Sequence, residues 1–592
     1  MTSATTATSK DTAAADTQLP GNAPAELAPY VESRVITRDD VAAVAMLVAM
    51  ARRDEPSFEP SLLVWLAIAL AVRTPRDAHT CVDFEAVQAW CGDIDLSQPG
   101  HLDWPTDAAP WIAALESAKP LVGRAHARAP LILEGSRLYL ARSLYEEEEI
   151  ARRLTGADAA RVEILLGGPG TGKTTKVATR LIGLMRDNPE TQIALAAPTG
   201  KAAARMKEAL KARLHDPKAP DEIRNAPEDV RTKVENVRPV TIHKLLGYRP
   251  YGSPRYKYHP GNQLDCGLVV IDEASMLSSR MMHRLLAAIG QDTRLLLVGD
   301  PNQLASVDAG TVLGDIAKAA AREGSPLASR TETLTIRHRF GPRIGALADA
   351  ILEPGGAGVA RAFEILEGRW DPPPDPSNTK PDDPQSIRWI EPGSADLKEV
   401  VNEVVRQAER VRSLAKKGAV TDALAAQKKL QVLCGHRVGA MGVAGWNARV
   451  EKGLGIGSWH PWYSGRPIMV TRNNPALDLF NGDVGIVVAG SGEGLRDVAF
   501  PQAEGPPRRI SVSQLEDIDT VHALTIHKSQ GSEYDHVVVV LPERASRLLT
   551  KELLYTAVTR AAEKVTVIGS REVIAAAINT PIRRATGLAG RL

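Results

Sequence analysis

The chain has 592 residues, with 72 Lys or Arg against 71 Asp or Glu and a formal net charge of +1. At roughly 100–200 residues per domain this length carries several separate cores, and near-neutrality excludes a bulk positive field as the means of holding a polyanion, leaving only a local basic surface. The four cysteines, Cys81, Cys91, Cys266 and Cys434, are too scattered for a C-x-x-C metal pattern and suit thiols in a reducing cytosol, so a cytoplasmic protein is expected.

Residues 1–30 read as a disordered tail: Ala, Thr and Asp dominate, with neither the basic start nor the apolar run of a signal peptide. Residues 31–155 read as a helical domain of short segments broken by Pro and Gly, with Trp65, Trp90, Trp104 and Trp111 as core. The apolar run 62–72 is about half the length needed to span a bilayer, which predicts a buried helix and no membrane role. Nothing here carries chemistry, so a docking role is expected. The acidic run Glu146 to Glu149 reads as a solvated helix start.

Chemistry begins at residues 167–174, a complete G-x-x-x-x-G-K-T loop made of Gly167, Gly168, Pro169, Gly170, Thr171, Gly172, Lys173 and Thr174, followed by Thr175. An apolar strand at 162–166 enters it and a helical run at 173–185 leaves it, the context such a loop requires. Backbone N–H groups at the helix start cradle phosphate, Lys173 reaches the β- and γ-phosphates, and the Thr174 hydroxyl ligates Mg²⁺. Further strands are predicted at 193–197, 268–271 and 295–298, each ending where a polar motif begins, the layout of a parallel α/β sheet. The second of these runs into Asp272 and Glu273: Asp272 is placed for the Mg²⁺ shell and Glu273 to orient or deprotonate water. The third ends in Gly299-Asp300-Pro301-Asn302-Gln303, where the Gln303 carboxamide can sense a γ-phosphate.

The proline-rich stretch 371–384 reads as a linker. Beyond it, strands are predicted at 431–434, 537–541 and 565–568. Hairpin signals at Asn481-Gly482 and within 490–494 predict a small β-barrel-like insertion between them.

The ordered set GGPGTGKTT (167–175), APTGKAAAR (197–205), TIHKLL (241–246), DEASM (272–276), GDPNQL (299–304), RHRF (337–340), ALTIHKSQGSEY (523–534) and LLYTAVTR (553–560) resembles the motifs of superfamily 1 helicases. Within that superfamily CGHRVG (434–439), GVAGWN (442–447) and GSRLYLAR (135–142) are most similar to the RecD family, the alpha subunits of exodeoxyribonuclease V. The resemblance implies two RecA-like P-loop domains, 156–352 and 353–592, with ATP between them. It also implies a hairpin insertion at about 247–263, an SH3-like β insertion at about 460–518, and 31–155 as the partner-docking domain. Arg339 and Arg560 would act as arginine fingers, Gly531 and Glu533 would touch the nucleotide, and Thr199, Lys201, His243, Thr525, His527 and Lys528 would line a single-strand DNA channel. The implied activity is 5′ to 3′ ATP-dependent unwinding at duplex ends beside RecB-like and RecC-like subunits, any DNA cleavage lying in a partner. The same motifs suit a stand-alone RecD-like motor or, from another class, a nucleotide-switched DNA clamp. One departure is visible: the adenine-reading Gln usual upstream of the loop has no counterpart, since no Gln occurs between Gln98 and Gln192.

Positive charge concentrates in residues 201–260, which hold fourteen Lys or Arg against seven Asp or Glu, a local excess of +7. Basic and aromatic residues interleave at 248–251 and 255–258, a composition suited to phosphate contact and base stacking. Tyr256 is the stacking candidate.

Overall fold

The computed structural model describes every residue except 1–18, 21, 89–101, 103–104, 106, 125–126, 157–160, 250, 252–253, 338, 373–382, 458–460, 491–495, 503–504 and 547. Most of the expected tail and linker, together with Trp90, Trp104, Cys91, Pro250 and His338, lie outside the described residues.

The N-terminal region is not purely helical. Helices α1 (Arg38–Asp54) and α2 (Leu62–Arg73) pack together, α1 opening on a reciprocal Thr37–Asp40 capping box and α2 on Ser61. As the composition predicts, α2 is buried along almost its whole length. Beside them lies a four-stranded sheet of order β1-β4-β3-β2, formed by β1 (Cys81–Asp83), β2 (Val122–Gly123), β3 (Leu131–Glu134) and β4 (Arg137–Leu140). Strands of two to four residues are too short to show a hydrophobic period, which is why they were not expected. Helix α3 (Ala141–Thr155) follows.

A six-stranded, wholly parallel sheet comes next, of order β10-β5-β9-β8-β6-β7. Its strands are β5 (Val162–Gly167), β6 (Ile193–Ala197), β7 (Val240–Thr241), β8 (Leu268–Ile271), β9 (Arg294–Gly299) and β10 (Thr331–Leu334). Alternate side chains divide into two cores: Ile164, Val269, Ile271, Leu295 and Leu297 face one way, and Leu165, Leu195, Val270, Leu296 and Val298 the other. Helices cover both faces, so the strands read as unbroken apolar runs.

A second parallel sheet has the order β11-β20-β19-β12-β18, from β11 (Ile387–Ile390), β12 (Leu430–Cys434), β18 (Ala523–Thr525), β19 (Tyr534–Val540) and β20 (Ala561–Ile568). Inserted between β12 and β18 is a five-stranded antiparallel sheet of order β16-β15-β14-β13-β17. Its members are β13 (Pro467–Val470), β14 (Val484–Ala489), β15 (Arg496–Phe500), β16 (Arg508–Ser511) and β17 (Ile518–Thr520).

The acidic run at 146–149 departs from expectation. It lies in the middle of α3, and Glu147 is completely buried. Its carboxylate accepts from Thr80 Oγ1 (2.6 Å), Thr586 Oγ1 (2.9 Å) and the Gly587 N–H (3.2 Å), with Arg591 Nε at 3.5 Å. A buried charge survives only when satisfied in this way. Thr80 lies in the N-terminal region; the other donors come from a C-terminal strap that leaves the second parallel sheet and returns to the first. Along the strap Arg584 donates to the carbonyls of Asp308 (3.1 Å) and Gly310 (2.9 Å), and the Ala585 N–H donates to His79 Nδ1 (2.8 Å).

Candidate functional site

The phosphate loop sits between β5 and helix α4 (Lys173–Asp187). Gly170 (φ +78°) and Gly172 (φ +84°) take left-handed conformations that turn the loop into the helix. Thr171 Oγ1 donates to the Gly168 carbonyl (2.8 Å), and Lys173 Nζ folds onto the carbonyls of Gly167 (2.6 Å) and Gly168 (2.9 Å). Burial pulls the Lys173 ammonium down from its ordinary pKa, opposed by the carboxylates of Asp300, Glu273 and Asp272. Thr174 and Thr175 are half-buried on the first turn of α4.

The parallel register brings the other predicted carboxylates to the same sheet edge, because β9 ends beside β5 and β8 beside β9. Asp272 donates its N–H to the Ala196 carbonyl (2.9 Å), and its carboxylate accepts the Glu273 N–H (2.9 Å). Glu273 itself has φ +53°, a left-handed backbone at a non-glycine position that turns the chain sharply after the strand. Burial, then the neighbouring Glu273, pushes the Asp272 carboxyl up to about 6. Gln303 is buried, its Nε2 donating to Asp300 Oδ2 (3.1 Å).

Cations come from the crossing between the two sheets and from the second sheet's side. Arg339, just past β10, crosses directly over the loop: a Cβ added to Gly170 would lie 2.3 Å from the Arg339 Cβ. Arg560, at the entry to β20, is buried and donates to the carbonyls of Ser532 (3.2 Å) and Thr556 (3.3 Å). Glu533 binds Arg339 (2.6 Å) and also Arg205 on α5 (Gly200–Leu214). Burial, then mutual repulsion with its cationic neighbours, lowers Arg339 to about 9 and Arg205 to about 10. Arg339, Arg205 and Arg560 thus crowd one another with few carboxylates between them. Such a cluster invites a polyanion. Arg205 was not singled out in the sequence, although it stands one helical turn from Lys201 in the same motif. Gly531, at φ +70°, packs against Ala202 at the start of the same helix.

Thr174 and Asp272 offer Mg²⁺ a hydroxyl and one carboxylate. Among the described residues no group of three or more His, Cys, Asp or Glu could cage a metal. That donor set fits Mg²⁺, which keeps waters and binds through few carboxylates together with substrate phosphates.

The residues expected on DNA are spread more widely. Thr199 caps α5, its Oγ1 accepting the Ala202 N–H (3.2 Å). Lys201 is half-buried near Gly482 and Asp483 of the inserted sheet, and burial, then Arg205, lowers it to about 8. His243 is exposed, 5.5 Å from the Tyr248 ring and 6.4 Å from the Tyr256 ring. An isolated antiparallel bridge pairs Tyr248 with Tyr256. Tyr256 is half-buried, with the Arg284 guanidinium 4.6 Å above its ring and bonded to its hydroxyl (2.7 Å), whereas Tyr251 is fully exposed. Thr525 is half-buried, His527 is exposed, and Lys528 Nζ donates to Asp519 (2.8 Å).

A phosphate loop on one parallel sheet, facing arginines from the side of a second, defines a P-loop nucleoside triphosphatase of the superfamily 1 helicase class. Residues 32–139 match the family described as RecBCD enzyme subunit RecD, N-terminal domain; 151–309 match an AAA domain, and 520–568 a UvrD-like helicase C-terminal domain. The chain is 41% identical over 576 residues to the RecBCD enzyme subunit RecD of Mycolicibacterium smegmatis, covering 90% of this chain and 94% of that one. It is 38% identical over 607 residues to the RecBCD enzyme subunit RecD of Mycobacterium tuberculosis, covering 95% and 96%. The ATP-dependent RecD2 DNA helicase of Deinococcus radiodurans is 30% identical over 435 residues, covering 72% of this chain but 49% of that one. The chain belongs to the RecD family.

Proposed function

We propose that this protein is an ATP-dependent 5′ to 3′ DNA helicase, the RecD motor subunit of a RecBCD-type helicase–nuclease acting at double-strand DNA ends with RecB-like and RecC-like partners. The observation that carries the reading is the composite site: Lys173, Asp272, Glu273 and Gln303 on one sheet, with Arg339 reaching it from the crossing between the sheets and Arg560 from the second. Full cation density around the phosphates then requires the cleft to close, which ties hydrolysis to relative motion of the sheets. Near end-to-end coverage of the mycobacterial subunits, against half of the Deinococcus helicase, favours the complex over a stand-alone motor.

In this reading residues 156–352 and 353–592 are the motor domains, the antiparallel sheet β13–β17 is an SH3-like insertion, and 31–155 is the docking domain. Among the described residues no helix is long and apolar enough to cross a membrane. Mg²⁺, held by Thr174 and Asp272, would neutralise phosphate charge. Gly531 and Glu533 border the nucleotide, and Glu273 orients the attacking water. Thr199, Lys201, His243, Thr525, His527 and Lys528 contact the DNA backbone, with the 247–263 hairpin at the strand junction. Arginine fingers in related hydrolases are worth about 10³ to 10⁵ in rate.

The test is Lys173→Gln in the full chain with its co-purifying partners, followed by DNA-stimulated ATP turnover and opening of a fork with a 5′ tail. Loss of both from this subunit is expected. Normal turnover in the variant would overturn the site, and turnover without any strand opening in wild type would favour the clamp.

A further inference from the structure

The segment that follows β9 is gripped from the second parallel sheet at three points. The Tyr555 hydroxyl donates to Asp300 Oδ2 at 3.0 Å, the Leu304 N–H donates to Thr556 Oγ1 at 3.0 Å, and Gln530 Nε2 donates to the Leu304 carbonyl at 3.0 Å. Tyr555 and Thr556 are buried on one helix, Lys551–Val558, of the motif that ends in Arg560. The Asp300 oxygen that takes Tyr555 also takes Gln303 Nε2 at 3.1 Å, and the other oxygen takes the Asn302 N–H at 3.0 Å. A Cβ added to Gly168 would lie 2.9 Å from the Tyr555 hydroxyl and 3.9 Å from Asp300 Oδ2. The hydroxyl therefore rests against the phosphate loop, the Asp300 carboxylate and, through it, Gln303.

We infer that Tyr555 is a positioning residue for hydrolysis: its hydroxyl fixes Asp300, and through Asp300 the Gln303 carboxamide, in the orientation that faces the terminal phosphate, and it does so only while the two sheets are closed together. The inference rests on the reading above that a triphosphate is hydrolysed in this cleft. Asp300 is buried, and Lys173 is the strongest charge favouring its ionised form. A bound triphosphate draws the Lys173 ammonium to its own oxygens, so the Asp300 carboxylate then rests on the charge of nearby Arg337 and on its neutral donors. Tyr555, Gln303 and the Asn302 N–H are those donors. Without the hydroxyl, Gln303 is left as the side-chain donor to Oδ2, and the two side chains can turn together away from the phosphate. The closed state is thereby reported to the phosphate sensor by a hydrogen bond from the opposite sheet, alongside the charge that Arg339 and Arg560 bring.

Tyr555→Phe tests this with the ring packing kept. Turnover is measured on the full chain with its partners, above the Lys173→Gln background, beside Gln303→Ala and the double variant. Tyr555→Phe is expected to lower kcat about tenfold with KM for ATP changed less than about twofold, the pattern of an interaction made in the transition state. The double variant is expected to be no slower than Gln303→Ala alone, because Tyr555 acts through Gln303. Unchanged kcat in Tyr555→Phe would overturn the inference, as would a full tenfold further loss on the Gln303→Ala background. Wild-type protein with no DNA-stimulated turnover would instead overturn the functional reading itself.

Discussion

Replacing Glu147 by Gln should loosen the junction between the N-terminal region, the first parallel sheet and the C-terminal strap. The native carboxylate is fully buried and accepts from Thr80 Oγ1, Thr586 Oγ1 and the Gly587 N–H, with Arg591 alongside at 3.5 Å. An amide keeps one accepting oxygen but turns an NH₂ toward groups that are themselves donors. Hydrogen bonds to a charged acceptor contribute roughly 1.5–3 kcal/mol each, and a buried donor left unmet costs roughly 1–3 kcal/mol. With one side of the carboxylate lost and the other made neutral, the cost is about 3 kcal/mol. At roughly 2–4 °C per kcal/mol for a unit of 150–250 residues, this lowers its melting by about 6–12 °C. The neighbour Glu148 is only half-buried in the same helix and supplies the control, since Glu148→Gln should stay within about 0.5 kcal/mol. Differential scanning calorimetry of both variants is the assay, with limited proteolysis to locate the loosened segment at 580–592. Equal melting of Glu147→Gln and Glu148→Gln, or first cleavage elsewhere, would refute the argument.

Acid should act on the same junction. Burial lowers the His79 imidazole to about 4, and its Nδ1 accepts the Ala585 N–H. The unfolded chain therefore binds a proton that the native state refuses: this contribution is whole above about pH 6.5 and is lost as pH falls from 6.5 toward 4. It amounts to about 3 kcal/mol, and urea midpoints at pH 7 and pH 5 should differ less in His79→Gln than in wild type. At the nucleotide site, Glu533 binds both Arg339 and Arg205, so Glu533→Gln leaves two repelling cations without their carboxylate. Affinity for a fluorescent ADP analogue should rise by about three- to tenfold; weaker binding would show that Glu533 serves the nucleotide chiefly by direct contact.

The central strands and the phosphate loop were legible because parallel strands covered on both faces are unbroken apolar runs, and each ends abruptly in polar residues. The motif residues Lys173, Asp272, Glu273 and Gln303 meet at one sheet edge because of that regularity. Side-chain destinations were less legible. Tyr256 and Tyr251 are equivalent by composition, yet Arg284 packs over the first and the second stands free. Glu147 looked like surface charge because its partners Thr586 and Gly587 lie about 440 residues away in sequence. Arg205, Asp300 and Tyr555 lie inside recognised motifs, but their pairing appears only when the two sheets face each other.

The strap has a mechanical consequence for that facing. The chain passes from the first parallel sheet to the second after β10, near Arg339, and returns after residue 579 to bond Ser306, Asp308, Gly310 and His79. Two bodies joined at one point can swing freely, whereas two joined at two points turn about the line between them. Opening the cleft must therefore follow that line or break the Arg584 and Ala585 hydrogen bonds. The crossing near Arg339 lies at the phosphate loop, so that arginine travels little in such a rotation, and the cation that closure brings to the phosphates is chiefly Arg560. The contacts on Asp300 and Leu304 are made from the helix that carries Tyr555 and from Gln530. Those hydrogen bonds join the two sides directly, so a rotation that parts the sheets breaks them, and the Tyr555 hydroxyl reports closure at the phosphate loop itself.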